Sequence, residues 1–428
     1  MKYVLMIGDD MADTGLVELN GKTPLESLSL KAFDRVAGGL LGHVRTVPEG
    51  LVPGSDTAIL SIFGNDPRVC YTGRSVLGAA GMGVSLPAGS LSLRVNLCAV
   101  SPQGGQLVIH SHNGGNIHGD EALTLMNDLL TNPAFAARMQ AAGLHVHVTD
   151  TFRHIGVMAS DAHDLDSVKL TEPHNVLEQA IDPHLPHLTR TTEDAAAAKL
   201  CTDIRELMLL SYEALREHPV NQRRIAKGLL PANMIWPWGA ATAMKLESFP
   251  QKYGKRGSVV SAVPLVWGIA ALGGLKTPRV EGANGDLDTN YEGKVACALR
   301  ALLSEGDDFA AVHVEAPDEM AHAGSLEKKL LAIQAVNDRI VAPLLAGLAQ
   351  SGEDFRLLLL SDHPTLLTTR THDGAPVPYA LYDSRANACE RAAGIPDPVR
   401  KYGETEALKT PLLEDGTALM ALLFEQER

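Results

Sequence analysis

Residues 309–322 read Phe-Ala-Ala-Val-His-Val-Glu-Ala-Pro-Asp-Glu-Met-Ala-His, and this stretch decides the fold. Its first six residues form a short run of strand length. Asp318 and His322 follow four residues apart, which puts both side chains on one side of a helical turn. The pattern extends in both directions. Upstream, residues 259–263 are a β-branched run, residues 264–272 open a predicted helix with Pro264, and residues 291–303 have helical spacing. Downstream, residues 326–348 read as one long amphipathic helix and residues 355–360 as a buried strand that ends at Ser361-Asp362-His363. At the start of the chain, residues 3–7 are a short apolar strand ended by Gly8-Asp9, and residues 55–63 open a helix capped by Ser55 or Asp56.

Strands alternating with helices require crossover connections, hence a mostly parallel sheet covered on both faces. In such a sheet Asp9, Asp318 and the Asp362-His363 pair all follow strand ends on one edge, where open α/β folds gather their ligands. Converging carboxylates repel one another unless a cation lies between them, so the pattern points to a divalent metal. His322 and His372 bring the donors to a number that suits two ions. The mixture of oxygen and imidazole nitrogen favours Mn²⁺ or Zn²⁺ over Ca²⁺, with Mg²⁺ a further candidate. Ser55 stands where a loop meets a helix, so a metal could ionise its hydroxyl while backbone N–H groups face a phosphate.

Between residues 91 and 250 the texture changes to short strands, two helical segments, a long helix over 193–217 and most of the histidines. This predicts a smaller α+β domain, 91–250, inserted into a core built from 1–90 and 251–428. The formal charge of −14, from 37 basic and 51 acidic residues, excludes a polyanion-coating surface and with it a nucleic-acid partner. Five cysteines, Cys70, Cys98, Cys201, Cys297 and Cys389, are widely spaced with no C-x-x-C pair, which argues against a disulfide framework and for a reducing cytoplasm. Residues 259–275 are interrupted by Ser261, Pro264 and three glycines, so they suit a strand and a helix better than a membrane span. The first ten residues are too short and acidic for a secretory signal.

Several motifs together resemble those of the archaeal-type cofactor-independent phosphoglycerate mutases of the alkaline phosphatase superfamily. They are Asp9 with Met11 and Asp13, Gly54-Ser55-Asp56-Thr57-Ala58, Glu315-Ala316-Pro317-Asp318-Glu319 with His322, Ser361-Asp362-His363, and His372. The resemblance spans nearly the whole chain and implies an alkaline-phosphatase-like core. It implies one metal held by Asp318, His322 and His372 and another by Asp9, Asp362, His363 and Ser55. Ser55 would take a phosphoryl group and return it to a different hydroxyl, interconverting 3-phosphoglycerate and 2-phosphoglycerate, with Lys294 balancing charge. The inserted segment would exclude water from the phosphoenzyme. Arg74 and Asn290 stand as substrate contacts or loop fasteners.

The chain departs from that pattern at Asp10, where glycine is usual, and at Ile59, where histidine is common. It also departs at Gly114-Gly115-Asn116-Ile117, which lacks an arginine, and across residues 231–239, where Trp236 and Trp238 stand without a basic residue. Arginine forks are the ordinary holders of carboxylate and phosphate. Asn116 and the two tryptophans would then offer a less charged wall, and two alternatives stay open. One is homoserine-kinase-like transfer to a small amino acid alcohol; the other is a non-catalytic regulator that binds a metabolite. The expected partner is a small phosphorylated metabolite or an amino acid, and a homo-oligomer is compatible with the sequence.

Overall fold

The computed structural model describes residues 1–386 and 399–425; Cys389 lies outside the described residues. Two compact units emerge: Met1–Tyr71 together with the chain from Lys245, and Thr72–Met244. The helix Arg74–Gly81 therefore lies in the second unit.

The first unit is built on a seven-stranded sheet in the order Gly257–Val260, Phe309–Val314, Lys2–Gly8, Phe355–Leu360, Val377–Asp383, Leu40–Val44 and Leu412–Leu413. Val377–Asp383 runs antiparallel to both its neighbours, and the remaining pairs are parallel. Phe309–Val314 and Phe355–Leu360 are buried at every position, which is why they read as continuous runs rather than alternating ones. The ladders set Gly8 opposite Val314 and Ile7 opposite Leu360, so the chain leaves all three strands at one level. Asp9, Glu315 and Ser361-Asp362 are thereby delivered to one edge.

The single helix expected over 326–348 is two α-helices, Leu326–Ala335 and Ala342–Ser351, joined by a π-helical turn, Val336–Val341. Pro343 lacks the N–H that would continue the regular ladder, and the wider turn accommodates it. The turn also carries Asn337, whose side-chain oxygen accepts from the N–H groups of Ala32 and Phe33, both at 3.1 Å, at the start of the Lys31–Ala37 helix. By length and composition Leu326–Ser351 could cross a membrane. Its apolar side chains, including Ile333, Val336, Ile340, Leu344 and Leu348, instead belong to the hydrophobic core of this unit.

The second unit is antiparallel. Its spine is the 14-residue strand Ser90–Gln103, paired with Arg153–Ala159 and Met234–Thr242 along its first part and with Gln106–Ser111 at its end. Leu144–His147 extends the sheet beyond Arg153–Ala159. Helices Asp120–Thr131, Pro133–Ala141 and Ala195–Leu215 contribute to one core with Trp236. Asp194 fixes the start of the last helix by accepting from Ala196 and Ala197 N–H, and its other oxygen accepts from His163 and Asp164 N–H, each at 2.8 Å. The molecule thus has the expected class, a mostly parallel sheet flanked by helices plus a separate α+β unit.

Candidate active site

At the shared edge of the parallel strands four groups of donors crowd together, one of them Glu315, Asp318 and Glu319. Asp318, His322 and His372 form a second; Asp9, Asp10, Asp362 and His363 form a third; Asp10, His363 and His372 join these last two, with ligand atoms in each group within 4.8 Å of one another. Asp318 sits in the first turn of the Ala316–His322 helix, one turn from His322, whose Nε2 lies 3.1 Å from Asp318 Oδ1. His322 Nδ1 lies 2.9 Å from the Arg370 carbonyl, which orients the ring by its far side. His372 is brought in by a two-residue ladder in which it pairs with Thr365. Its ring centroid is 4.8 Å from that of His322 and 4.5 Å from that of His363.

Ser55 is the first residue of the Ser55–Ile62 helix, and neither it nor Asp56 is the cap. Gly54 occupies that position with an extended backbone and no side-chain bond. The Ser55 hydroxyl is therefore not consumed by capping and lies 3.4 Å from His363 Nε2. Asp56 accepts from Thr57 N–H at 3.0 Å and from the Tyr71 hydroxyl.

The electrostatics follow from this crowding. Burial, reinforced by Asp362 and Asp10, pushes the Asp9 carboxyl well above its ordinary range. At His363 burial opposes the charged ring, but the Asp362 and Asp10 carboxylates outweigh it and raise its pKa to about 10. The Asp318 hydrogen bond raises His322 to about 9, whereas burial and the neighbouring His363 push His372 down to about 4. At Asp318 burial is outweighed by hydrogen bonds to Asp10 and His322, and its pKa is lowered. Among the described residues, three buried carboxylate oxygens, Asp9 Oδ1, Asp10 Oδ1 and Asp362 Oδ2, have no hydrogen-bond partner. Unpartnered buried carboxylates interleaved with imidazoles are a donor set that suits divalent cations.

Three supporting residues carry no signal as obvious as a strand-end aspartate. His313 Nε2 lies 2.9 Å from Asp9 Oδ2, and Ser261 Oγ lies 3.2 Å from His313 Nδ1. A histidine in an otherwise apolar strand was the available clue. Thr365 Oγ1 lies 2.8 Å from His372 Nδ1 and 3.2 Å from Asp318 Oδ1, and also bonds Asp10. Lys329 is fully buried; its ammonium donates to Asp13 Oδ2 and to the Thr365 carbonyl, both at 2.8 Å, tying two site loops together.

The other expected site residues are placed differently. Lys294 is buried with Nζ 3.1 Å from the His313 carbonyl. Burial lowers its pKa to about 8 against the pull of Glu315. Asn290 spends both ends of its amide on structure, accepting from Gly293 N–H and donating to the Glu281 carbonyl, each at 2.8 Å; it fastens a helix start rather than offering a free contact. Trp236 is fully buried with its indole N–H bonded to the Thr171 carbonyl, so it packs the core and presents no wall to a ligand.

In the second unit, Asn116 is exposed in a left-handed turn, φ 57°. The face around Trp238 is cationic rather than the less charged one expected. The Arg94 guanidinium lies 5.1 Å above the Trp238 ring, Arg153 lies 5.1 Å above Phe152, and His174 meets the Trp238 edge at 5.5 Å. Burial lowers the His174 pKa, with Arg153, Arg94 and Arg74 adding to the effect and Glu172 opposing it.

The family described as 2,3-bisphosphoglycerate-independent phosphoglycerate mutase matches residues 37–221. A Geobacter sulfurreducens protein described as "Probable 2,3-bisphosphoglycerate-independent phosphoglycerate mutase" is 41% identical over 428 residues, all of both chains. A Methanosarcina acetivorans protein described as "2,3-bisphosphoglycerate-independent phosphoglycerate mutase" is 39% identical over 410 residues, 96% of this chain and 95% of its own. Among solved structures, the PH0037 protein of Pyrococcus horikoshii superposes with a TM-score of 0.77 at 25% identity, over 100% of this chain and 98% of that one. The cofactor-independent phosphoglycerate mutase of Thermoplasma acidophilum shares the fold with a TM-score of 0.61 at 21% identity, over 99% of each chain.

Proposed function

The chain belongs to the 2,3-bisphosphoglycerate-independent phosphoglycerate mutase family, and from that premise we propose that it interconverts 3-phosphoglycerate and 2-phosphoglycerate through a phosphoserine at Ser55. The observation that carries the reading is the uncapped Ser55 hydroxyl, 3.4 Å from His363 beside two contiguous donor groups. Divalent cations held by Asp318, His322 and His372 and by Asp9, Asp362, His363 and Ser55 would supply Lewis-acid charge to phosphoryl oxygens and favour the ionised serine. Ser55 Oγ attacks phosphorus as the phosphorus bond to the carbon-3 oxygen breaks, and the proton that Ser55 gives up on ionising is restored to that oxygen. The carbon-2 hydroxyl then attacks the phosphoserine, and its proton returns to Ser55.

The second unit itself presents two guanidinium groups, Arg94 over the Trp238 ring and Arg153 over Phe152, of the chemistry that binds a carboxylate. One observation favours a second reading, phosphoryl transfer from ATP to a small amino acid alcohol. Residues 114–117 and 231–239 carry no arginine or lysine to hold a carboxylate beside a phosphate. Incubation with Mn²⁺ and 3-phosphoglycerate alone, followed by phosphorus NMR, is expected to yield 2-phosphoglycerate. Phosphohomoserine formed from ATP and homoserine without isomerisation would overturn the mutase reading in favour of the second; activity in neither assay would leave a metabolite-binding regulator.

A further inference from the structure

Asp10 is fully buried, yet it has a left-handed backbone, φ 55°, where glycine is the least strained residue. What it does with its side chain distinguishes it from a turn former. Asp10 Oδ1 lies 2.6 Å from His363 Nδ1 without hydrogen-bond geometry and, among the described residues, has no other partner. Asp10 Oδ2 bonds the Thr365 hydroxyl and lies 3.6 Å from His372 Nδ1. One carboxylate thus faces a histidine from each of the two donor groups, and with His363 and His372 it forms the group that connects them.

We propose that Asp10 is an additional metal-ligating carboxylate, placed between the two cation positions of this centre. The assignment rests on the metal-dependent reading above and adds a ligand to it. Its consequence is electrostatic. With two divalent cations bound and the Ser55 hydroxyl still protonated, Asp9, Asp10, Asp318 and Asp362 bring the centre to formal neutrality, whereas glycine at position 10 would leave one positive charge. The chain accepts backbone strain at this position and gains a tighter hold on its cations.

Calorimetric titration of Mn²⁺ into the purified full chain tests this, alongside Asp10→Gly and Asp10→Asn and without any activity measurement. Glycine suits the local backbone, so folding of the first variant is protected. The wild type is expected to bind two ions, and Asp10→Gly to weaken at least one of them by about tenfold or more. Asp10→Asn, which keeps the hydrogen bond to Thr365 but not the charge, should fail to restore that affinity. The electron paramagnetic resonance signal of the bound Mn²⁺ pair should change in both variants. Unchanged affinity in Asp10→Gly, or full restoration in Asp10→Asn, would overturn the assignment while leaving the metal reading intact. A wild-type chain that binds no divalent cation would instead remove the metal reading itself.

Discussion

The two units handle charge in opposite ways. In the first, Asp9, Asp10, Asp318 and Asp362 are all under a tenth exposed and share their edge with buried His313 and His363. In the second, Arg74, Arg153 and His174 remain exposed, and Arg94 and Arg153 lie over aromatic rings rather than beneath a protein surface. Buried like charges cost several kcal/mol each unless a counter-charge reaches them, so the first arrangement is a site that gives up stability for chemistry. Cations on an aromatic floor keep much of their hydration and can exchange water for an anion at little cost. The contrast supports the proposal that bond-making belongs to the first unit, and it leaves the second with cations of a kind that bind anions.

The largest expected effect comes from Ser55→Ala. If the first unit carries the chemistry, kcat falls by at least about 10³-fold while the circular dichroism spectrum is retained and two Mn²⁺ ions still bind, the one beside Ser55 more weakly. Residual turnover near the wild-type value would break the division, because the nucleophile would then lie elsewhere. Next is Arg153→Ala, alone and with Arg94→Ala. A recognition role predicts KM raised about tenfold with kcat nearly unchanged, and a fall in kcat alone would move the second unit into the chemistry.

The smallest effect concerns stability and sharpens the contrast. His154, in the Arg153–Ala159 strand, is fully buried, accepts from Thr149 N–H at 3.1 Å and, among the described residues, has no partner for Nε2. Burial lowers its pKa to about 4. Between about pH 6.5 and 4 the unfolded chain therefore binds a proton that the folded chain does not, so the contribution of His154 is fully present above pH 6.5. It is lost as pH falls towards 4, by up to about 3 kcal/mol. His154→Gln keeps an acceptor without titrating and should flatten this part of the decline. Urea unfolding at pH 7 and pH 5, followed by tryptophan fluorescence, measures it; an unchanged pH slope in the variant would contradict it.

Much of the architecture is legible in residue order. The fully buried strands Phe309–Val314 and Phe355–Leu360 announce themselves because a strand covered on both faces must be apolar at every position. The π-turn Val336–Val341 was hidden because a helical period survives one widened turn, and Pro343 alone does not reveal how the chain will accommodate it. At the site, aspartates after strands were visible as a repeated placement. The uncapped state of Ser55 was not, since a serine at a helix start reads as a cap until the φ and ψ of Gly54 are known. Nor was Lys329, an ordinary lysine on an amphipathic helix whose burial depends on Asp13 being brought to it.

The sequence by itself determined the alternation of strands and helices, the mostly parallel sheet and the residue types gathered at its edge, because period and polarity are local properties of the chain. Tertiary structure alone decided which donors meet. Strand register set Gly8 level with Val314, and Ile7 with Leu360, and the Thr365–His372 pairing carried a third imidazole into place. It likewise turned Asp10 inward between His363 and His372 and set Arg94 on Trp238, since contacts between residues distant in the chain exist only once the sheet has closed around them.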